Sequence, residues 1–429
     1  MKKEFDFIDL KYKPKNDLVC LFKIRPNRIS LEKAANTVAL ESSVGTWTDV
    51  KNKGSADKLM AKVFSIKKNG WVKIAYPQDL FESDNVPNIL SSIAGNIMGM
   101  KAVKTIRLED VSFPKSILKS FSGPKYGIEG IRKMMKIKSR PLVGTIIKPK
   151  LGLNEEEHAQ SAYESWRGGC QITKDDENLA SQKFNNFETR LSKTLDMADK
   201  AEKETGEKKA YLVNVTAETK EMIKRAQLVE KMGGKYVMID ILTSGWAALQ
   251  TLREANFKMA IHAHRAMHAA FDRNPEHGIS MMVIADFARL IGVDQIHIGT
   301  GIGKLEGKIK DIKEIKEDIS MKKVKATKKR LQQDWGNIKP VLPVSSGGLH
   351  PGHVPFLIKN LGKDLVLQMG GGIHGNKLGT EAGAIAARQA VDAVMQNIDL
   401  KEYARTHVEL EQGINQWGYF DKKLKYHKP

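Results

Sequence analysis

Cysteine is scarce in this chain. The two present, Cys20 and Cys170, stand far apart and without metal-ligand spacing. A disulfide scaffold is therefore not expected, and a reducing cytoplasm is the expected compartment. No uninterrupted apolar run is long enough to cross a membrane. The opening residues Met1-Lys2-Lys3-Glu4-Phe5-Asp6 lack the apolar core of a signal peptide. No membrane partner is expected. Aromatic residues make up only 7% and do not interleave with basic ones. That matters because acids are in deficit, 50 against 70 lysines and arginines, leaving a net charge of +20. Nucleic-acid binding is one reading of such an excess. The cations, however, are spread along the whole chain. The densest run, Lys308 to Arg330, also holds Asp311, Glu314, Glu317 and Asp318, as a solvated helical face does. No nucleic-acid partner is expected; the positive field would serve to draw in an anionic substrate.

The 429 residues exceed what one core usually holds, so two domains are expected. Strand-like runs at 18–24, 63–66, 71–75 and 104–111, with helical spacing at 31–41 and 87–99, predict a smaller α+β N-terminal domain over residues 1–130. The basic stretch from Pro124 to Arg140 connects it to residues 131–429. There the pattern changes to strict alternation. Strands are predicted at 142–148, 170–174, 210–215, 236–241, 259–264, 295–299, 341–345 and 365–369. Helical stretches such as 155–167, 187–204, 220–232 and 278–291 lie between them. Eight such units predict an α/β fold, a (β/α)8 TIM barrel with a C-terminal helical tail. A doubly wound open sheet is disfavoured by the strand count and by the absence of Gly-x-Gly-x-x-Gly after the first strand.

In a barrel the C-terminal strand ends carry the chemistry. Strand 1 ends in Lys148-Pro149-Lys150. Strand 2 runs into Thr173-Lys174-Asp175-Asp176-Glu177-Asn178. Asp176 and Glu177 are hard oxygen ligands suited to Mg²⁺. A protonated Lys174 would only neutralise them, whereas a neutral one could add CO₂ and become a third anionic oxygen ligand. The acids favour the ammonium, so such activation is expected to improve at mildly alkaline pH. The plain alternative is a loop-end salt-bridge cluster. Strand 5 ends in His262-Ala263-His264-Arg265, with His268 beyond. Strand 6 carries His297 and then Gly299-Thr300-Gly301-Ile302-Gly303-Lys304, a glycine-flanked lid candidate. Strands 7 and 8 end in Ser345-Ser346-Gly347-Gly348 and Gly370-Gly371-Gly372, turns able to offer N–H groups to a phosphate. Zinc on the histidines is disfavoured because no thiolate lies nearby. The arrangement suggests a small bisphosphate across the barrel mouth, its middle carbons at the metal.

The ordered motifs resemble the large chain of ribulose-1,5-bisphosphate carboxylase/oxygenase (RuBisCO) over nearly the whole chain. They are Glu41–Thr48, Gly95–Gly99, Gly144–Gly152, Thr173–Asn178, His262–His268, Gly303–Gly307, Ser345–His350 and Gln368–Gly372. Details such as Gly348-Leu349-His350-Pro351 look closest to the archaeal type III group. The resemblance implies that Lys174 is carbamylated by an activating CO₂ and binds Mg²⁺ with Asp176 and Glu177. The carbamate would remove the substrate's C3 proton. Lys148 would transfer protons, Lys150 would assist near the enediolate, and His264 would act in acid–base and hydration steps. Lys304 would close over the site. Arg265 and His297 would hold one phosphate, and Ser346, Gly347 and Gly348 would contact substrate. Gly370 and Gly371 would hold the other phosphate with Thr46 and Trp47 of a neighbouring subunit, which would also supply Glu41 and Asn96. Three positions depart from the family pattern: Ile146, where a threonine is frequent; Gln171, where an apolar residue is usual; and Asn376-Lys377, where His-Pro is common.

The expected activity is therefore addition of CO₂ to ribulose 1,5-bisphosphate, giving two 3-phosphoglycerates, with O₂ competing for the enediolate. Type III resemblance implies a role in nucleoside-monophosphate (AMP) salvage. A homodimer or ring of homodimers with shared sites is implied. The alternatives are a RuBisCO-like enolase or isomerase, and a non-catalytic bisphosphate- or nucleic-acid-binding protein.

Overall fold

A computed structural model describes residues 7–45, 48, 55–304 and 307–429. The chain forms two compact units. The first runs to Gly123 and takes in Met267–Gly292 and Met321–Lys339. The second comprises Pro124–Ala266, Val293–Ser320 and Pro340–Pro429.

The first unit is built on β1 (Asp17–Pro26), β2 (Lys62–Ile66), β3 (Trp71–Pro77) and β4 (Val103–Ser112), in the order β4-β1-β3-β2, each pair antiparallel. Leu18, Cys20, Phe22 and Ile24 of β1 are buried at the two-residue period of a strand. The helix Leu31–Glu41 starts where the Ser30 side chain accepts a hydrogen bond from Lys33 N, and it buries Ala34, Ala35, Val38 and Ala39. The helix expected over 87–99 is two pieces, Val86–Ile93 and a tight turn at Asn96–Gly99. Gly95 interrupts it, lying so close to Ser91 O that a Cβ there would be 2.0 Å away. The stretch expected to be helical over 278–291 opens instead with Gly278–Ile279, extended and parallel to β4. Ser280 then caps the helix Met281–Ile291, which is buried on every side. Phe287 meets Phe113 edge-on at 5.2 Å, and the Arg289 guanidinium lies 4.3 Å from the Trp335 ring centre.

The second unit is a closed barrel of eight parallel strands. In chain order they are β5 (Leu142–Ile146), β6 (Ile172–Lys174), β7 (Ala210–Asn214), β8 (Tyr236–Asp240), β9 (Ala260–His264), β10 (Gln295–His297), β11 (Leu342–Ser346) and β12 (Val366–Gln368). Each pairs with its successor, and β12 closes on β5. The strands are short and almost wholly buried, as parallel strands covered on both faces must be. Leu142, Ile172, Leu212, Tyr236, Met238 and Leu342 share one core with Ile128, Ile131 and Met135 of the helix Gly127–Met135. That helix packs at the N-terminal end of the strands. It is tied there by Asp294, whose carboxylate accepts hydrogen bonds from Tyr126 N, Gly127 N and Ile261 N. The connecting helices are capped as their sequences dictate, Glu155–Arg167 by an Asn154/Glu157 capping box and Phe187–Thr205 by Asn186. Among the described residues, no helix is long and apolar enough to cross a membrane. Both cysteines are buried and unbridged.

Candidate active site

The C-terminal ends of the barrel strands gather most of the residues singled out by sequence. Lys174 closes β6 and is completely buried. Its Nζ donates to Asp175 O at 2.7 Å and lies 3.3 Å from Met238 Sδ. Burial pushes the amine below the ordinary lysine range, against the pull of Glu177, Asp176 and Asp240. The acids alone were expected to decide its protonation in favour of the ammonium; desolvation outweighs them and moves Lys174 towards the neutral amine. Asp176 is buried and accepts a 2.5 Å hydrogen bond from Lys148 Nζ. Lys150 reaches Asn178 Oδ1 at 3.2 Å. Glu177 lies 3.6 Å from His264 Nε2. Burial raises the Glu177 carboxyl, but His264 and Lys174 outweigh it and hold it below the usual range.

The opposite wall comes from β9 and β10. His264 Nδ1 contacts Asp240 Oδ1 at 2.8 Å. His262 bridges Gln295 Oε1 at 3.0 Å and His297 Nε2 at 2.9 Å. Burial, reinforced by His264 and His262, pushes His297 far below the ordinary histidine range, so without an anion it is neutral. A bound phosphate would favour its charged form. Arg265 is buried beside it, passing Gly299, where a Cβ would lie 3.1 Å from Arg265 Nη2. Ser346, Gly347 and Gly348 follow at the end of β11. Lys304 is exposed and its loop abuts this turn: a Cβ on Gly348 would lie 2.8 Å from Lys304 N. Gly370 and Gly371 follow β12, and a Cβ on Gly370 would lie 3.1 Å from Lys148 Cε.

Other residues belong to the first unit. Glu41 ends the helix Leu31–Glu41, Asn96 opens the turn Asn96–Gly99, and His268 pairs with Asp272 at 3.0 Å. Thr46 and Trp47 lie outside the described residues.

Sequence reasoning missed the supports beneath these groups. Asp175 is fully buried; its carboxylate accepts from Tyr211 Oη at 2.5 Å, Asn214 N at 2.9 Å and Arg190 Nη2 at 3.2 Å. Burial raises the Asp175 carboxyl, yet Arg190 and His158 outweigh it and hold it ionised. Asn214 Nδ2 donates to Leu179 O at 3.0 Å and so holds the loop that carries Asp176 and Glu177. Asn214 and Asp240 both stand at strand ends, a signal that the strand-end rule already contained. Of the departures, Ile146 is buried, and the adjacent Thr145 turns its hydroxyl to Met369 O at 2.7 Å and His374 Nε2 at 3.0 Å. Gln171 is fully used, accepting from Arg140 and Val143 N and donating to Gly169 O and Glu207.

The family model described as ribulose bisphosphate carboxylase large chain, catalytic domain, matches residues 127–417. The N-terminal domain model of the same family matches residues 6–117. The chain belongs to the RuBisCO large-chain family. The ribulose bisphosphate carboxylase of Methanocaldococcus jannaschii is 51% identical over 425 residues, covering 96% of this chain and 100% of the relative. The dimeric archaeal RuBisCO of Hyperthermus butylicus superposes with a TM-score of 0.92 at 48% identity, covering 97% of this chain and 99% of that one. The octameric RuBisCO of Pyrococcus horikoshii, solved with sulfate, gives 0.90 at 47% identity, covering 97% of each chain.

The donor set fits the Mg²⁺ and carbamate that the RuBisCO resemblance implies. Two carboxylates stand beside an amine that burial makes more readily carbamylated, so a third oxygen ligand would arise there once CO₂ has been added.

Proposed function

We propose that this chain is a ribulose-1,5-bisphosphate carboxylase, an enzyme that adds CO₂ to the enediolate of its substrate and releases two 3-phosphoglycerates. The observation that carries the proposal is the buried Lys174, which desolvation moves towards neutrality against the charges of Glu177 and Asp176. A purely structural lysine in that position would gain by staying charged and paired. Mg²⁺ bound by the Lys174 carbamate, Asp176 and Glu177 would stabilise negative charge on the enediolate. Around it, the Lys174 carbamate would take the C3 proton, and Lys148 would deliver a proton to the product carbanion. His264, oriented by Asp240, would serve the hydration step. Lys150 would lie against the enediolate, and Lys304 would close over the developing carboxylate. Arg265, His297 and Ser346 with Gly347 and Gly348 would hold one end of the substrate, and Gly370 and Gly371 the other. Glu41, Thr46, Trp47 and Asn96 would complete the site from a second subunit.

The finer reading is an Mg²⁺-dependent, cytoplasmic type III enzyme acting in nucleoside-monophosphate salvage, with O₂ as competing substrate. It assembles as homodimers or rings of them. Archaeal relatives at about half identity over nearly their full length support it. Fixation of labelled bicarbonate into acid-stable product, with ribulose bisphosphate and Mg²⁺, is the deciding assay. Product that forms only when all three are present is the expected result. A chain that exchanges the C3 proton but fixes no carbon would instead be a RuBisCO-like enolase or isomerase.

A further inference from the structure

A cavity of about 410 Å³ opens at the N-terminal end of the barrel strands, the end away from the catalytic mouth. Arg140 precedes β5 and Lys208 precedes β7; Lys136, Lys138 and Arg388 complete its basic lining, and Glu207 is its one carboxylate. The polar groups behind it are organised. Glu207 Oε1 accepts from Arg388 Nη1 at 2.9 Å and Arg140 Nη2 at 3.2 Å, while Oε2 accepts from Gln171 Nε2 at 2.8 Å. Gln171, one of the three departures from the family pattern, also accepts from Arg140 Nη1 at 3.1 Å. The two guanidiniums are thereby fixed side by side with donors to spare. Among the described residues, Arg140 Nε and Arg388 Nη2 have no acceptor, and Lys136 and Lys138 have no carboxylate partner.

Charge decides what such a pocket holds. Lys208 is paired with Glu202, and Arg388 also with Asp392. Five lining cations therefore meet three carboxylates, Glu207, Glu202 and Asp392, a surplus of two. Burial and the neighbouring Arg388 push Arg140 below the ordinary arginine range. Burial also lowers Arg388, but Glu207 and Asp392 outweigh it and raise that guanidinium, so the charge left unmatched is on the Arg140 side and on the two lysines. A salt-bridge cluster serving only stability would balance its charges; this one keeps two forks and two ammoniums facing a space large enough for a small ligand. We propose that the pocket binds a small phosphorylated anion carrying at least two negative charges, such as a diphosphate group, at a site separate from the barrel mouth.

Calorimetric titration with inorganic pyrophosphate tests this. Lys138→Glu changes an exposed side chain with no hydrogen bond in the cluster, and Arg388→Gln removes one fork. Each is expected to weaken pyrophosphate binding by about tenfold or more, the loss of one charge-assisted contact. Lys104→Glu, at an exposed lysine of the first unit, makes the same change of net charge as Lys138→Glu and a larger one than Arg388→Gln, and is expected to leave binding unchanged. A parallel titration with a nucleoside diphosphate identifies the source of the phosphoryl groups: tighter binding than pyrophosphate assigns a nucleotide, equal binding the free anion. Undiminished pyrophosphate binding in both pocket variants overturns the site. So does an equal loss in Lys104→Glu, which would reduce the effect to the general field of a +20 chain. Failure of the wild-type chain to bind either probe overturns it as well.

Discussion

Lys174 concentrates the chemistry in one side chain. A carbamate forms only on a neutral amine, and burial moves this amine in that direction. The sign is simple: raising the pH increases the neutral fraction, and the lowered pKa brings that increase to a lower pH than for an exposed lysine. Activity after pre-incubation with CO₂ and Mg²⁺ should therefore rise from neutral to alkaline pH. Lys174→Arg, which stays protonated, should show no such activation; full activity in that variant would sink the reading. Lys304 belongs to the same scale. Lys304→Ala should lower carboxylation by about 10²–10³-fold while C3 proton exchange continues, the signature of a group needed for transition-state charge and not for enolisation. These residues were legible because lysine, acids and glycines recur at predicted strand ends. The buried supports were not: nothing in the sequence says that Asp175 is fixed by Arg190 and Tyr211, since they converge from different elements.

Strands and helices explain how those side chains are aimed. All eight barrel strands were legible because each is a short apolar run. Their ends shifted by a residue or two where pairing, not hydrophobicity, sets the boundary. The two misread helices failed for local reasons, a close backbone approach at Gly95 and the pairing of Gly278–Ile279 with β4. The loop after β10 offers a sharper test. Gly299 has φ +98° and leaves room for Arg265. Gly299→Ala should displace the guanidinium and raise KM for ribulose bisphosphate by about tenfold or more, with a smaller effect on kcat. An unchanged KM would remove Arg265 from the phosphate-holding role. The turn after β11 carries a different property. His350 and His353 stack at 3.6 Å, and burial holds them at about 3 and about 4, below the ordinary 6.5. Their native forms bind fewer protons than the unfolded chain below pH 6.5, so the stability they preserve is complete above that pH and is lost as the pH falls through the folded values. For His353 the shift corresponds to about 3 kcal/mol at the acid limit. Thermal unfolding across this range should show wild-type stability falling on acidification. His353→Phe, able to stack on Phe420 and Tyr426, should show a shallower fall; identical slopes would rule out this source of acid lability.

At the scale of the whole molecule, the family resemblance implies a site that one chain cannot complete alone. Glu41 ends a helix of the first unit and Lys174 closes β6 of the second. Family resemblance assigns them to sites formed between two-fold partners. The Hyperthermus relative is described as dimeric and the Pyrococcus one as octameric, and two-fold pairing is the commonest closed assembly. If sites are shared, Glu41→Ala and Lys174→Ala chains should each be inactive as homodimers, because every site then lacks one group. In a heterodimer the two lesions fall together in one site, and the other receives a wild-type Glu41 and a wild-type Lys174. Each heterodimer should therefore recover about half the activity of a wild-type dimer, and an equimolar, randomly exchanged mixture about a quarter, with exchange verified by mass before activity is scored. If sites lay within single chains, every heterodimer site would carry one lesion and no activity would return. Inactive heterodimers, beside wild-type dimers exchanged under the same conditions and still active, would thus rule out the shared site while leaving the chemistry of Lys174 untouched.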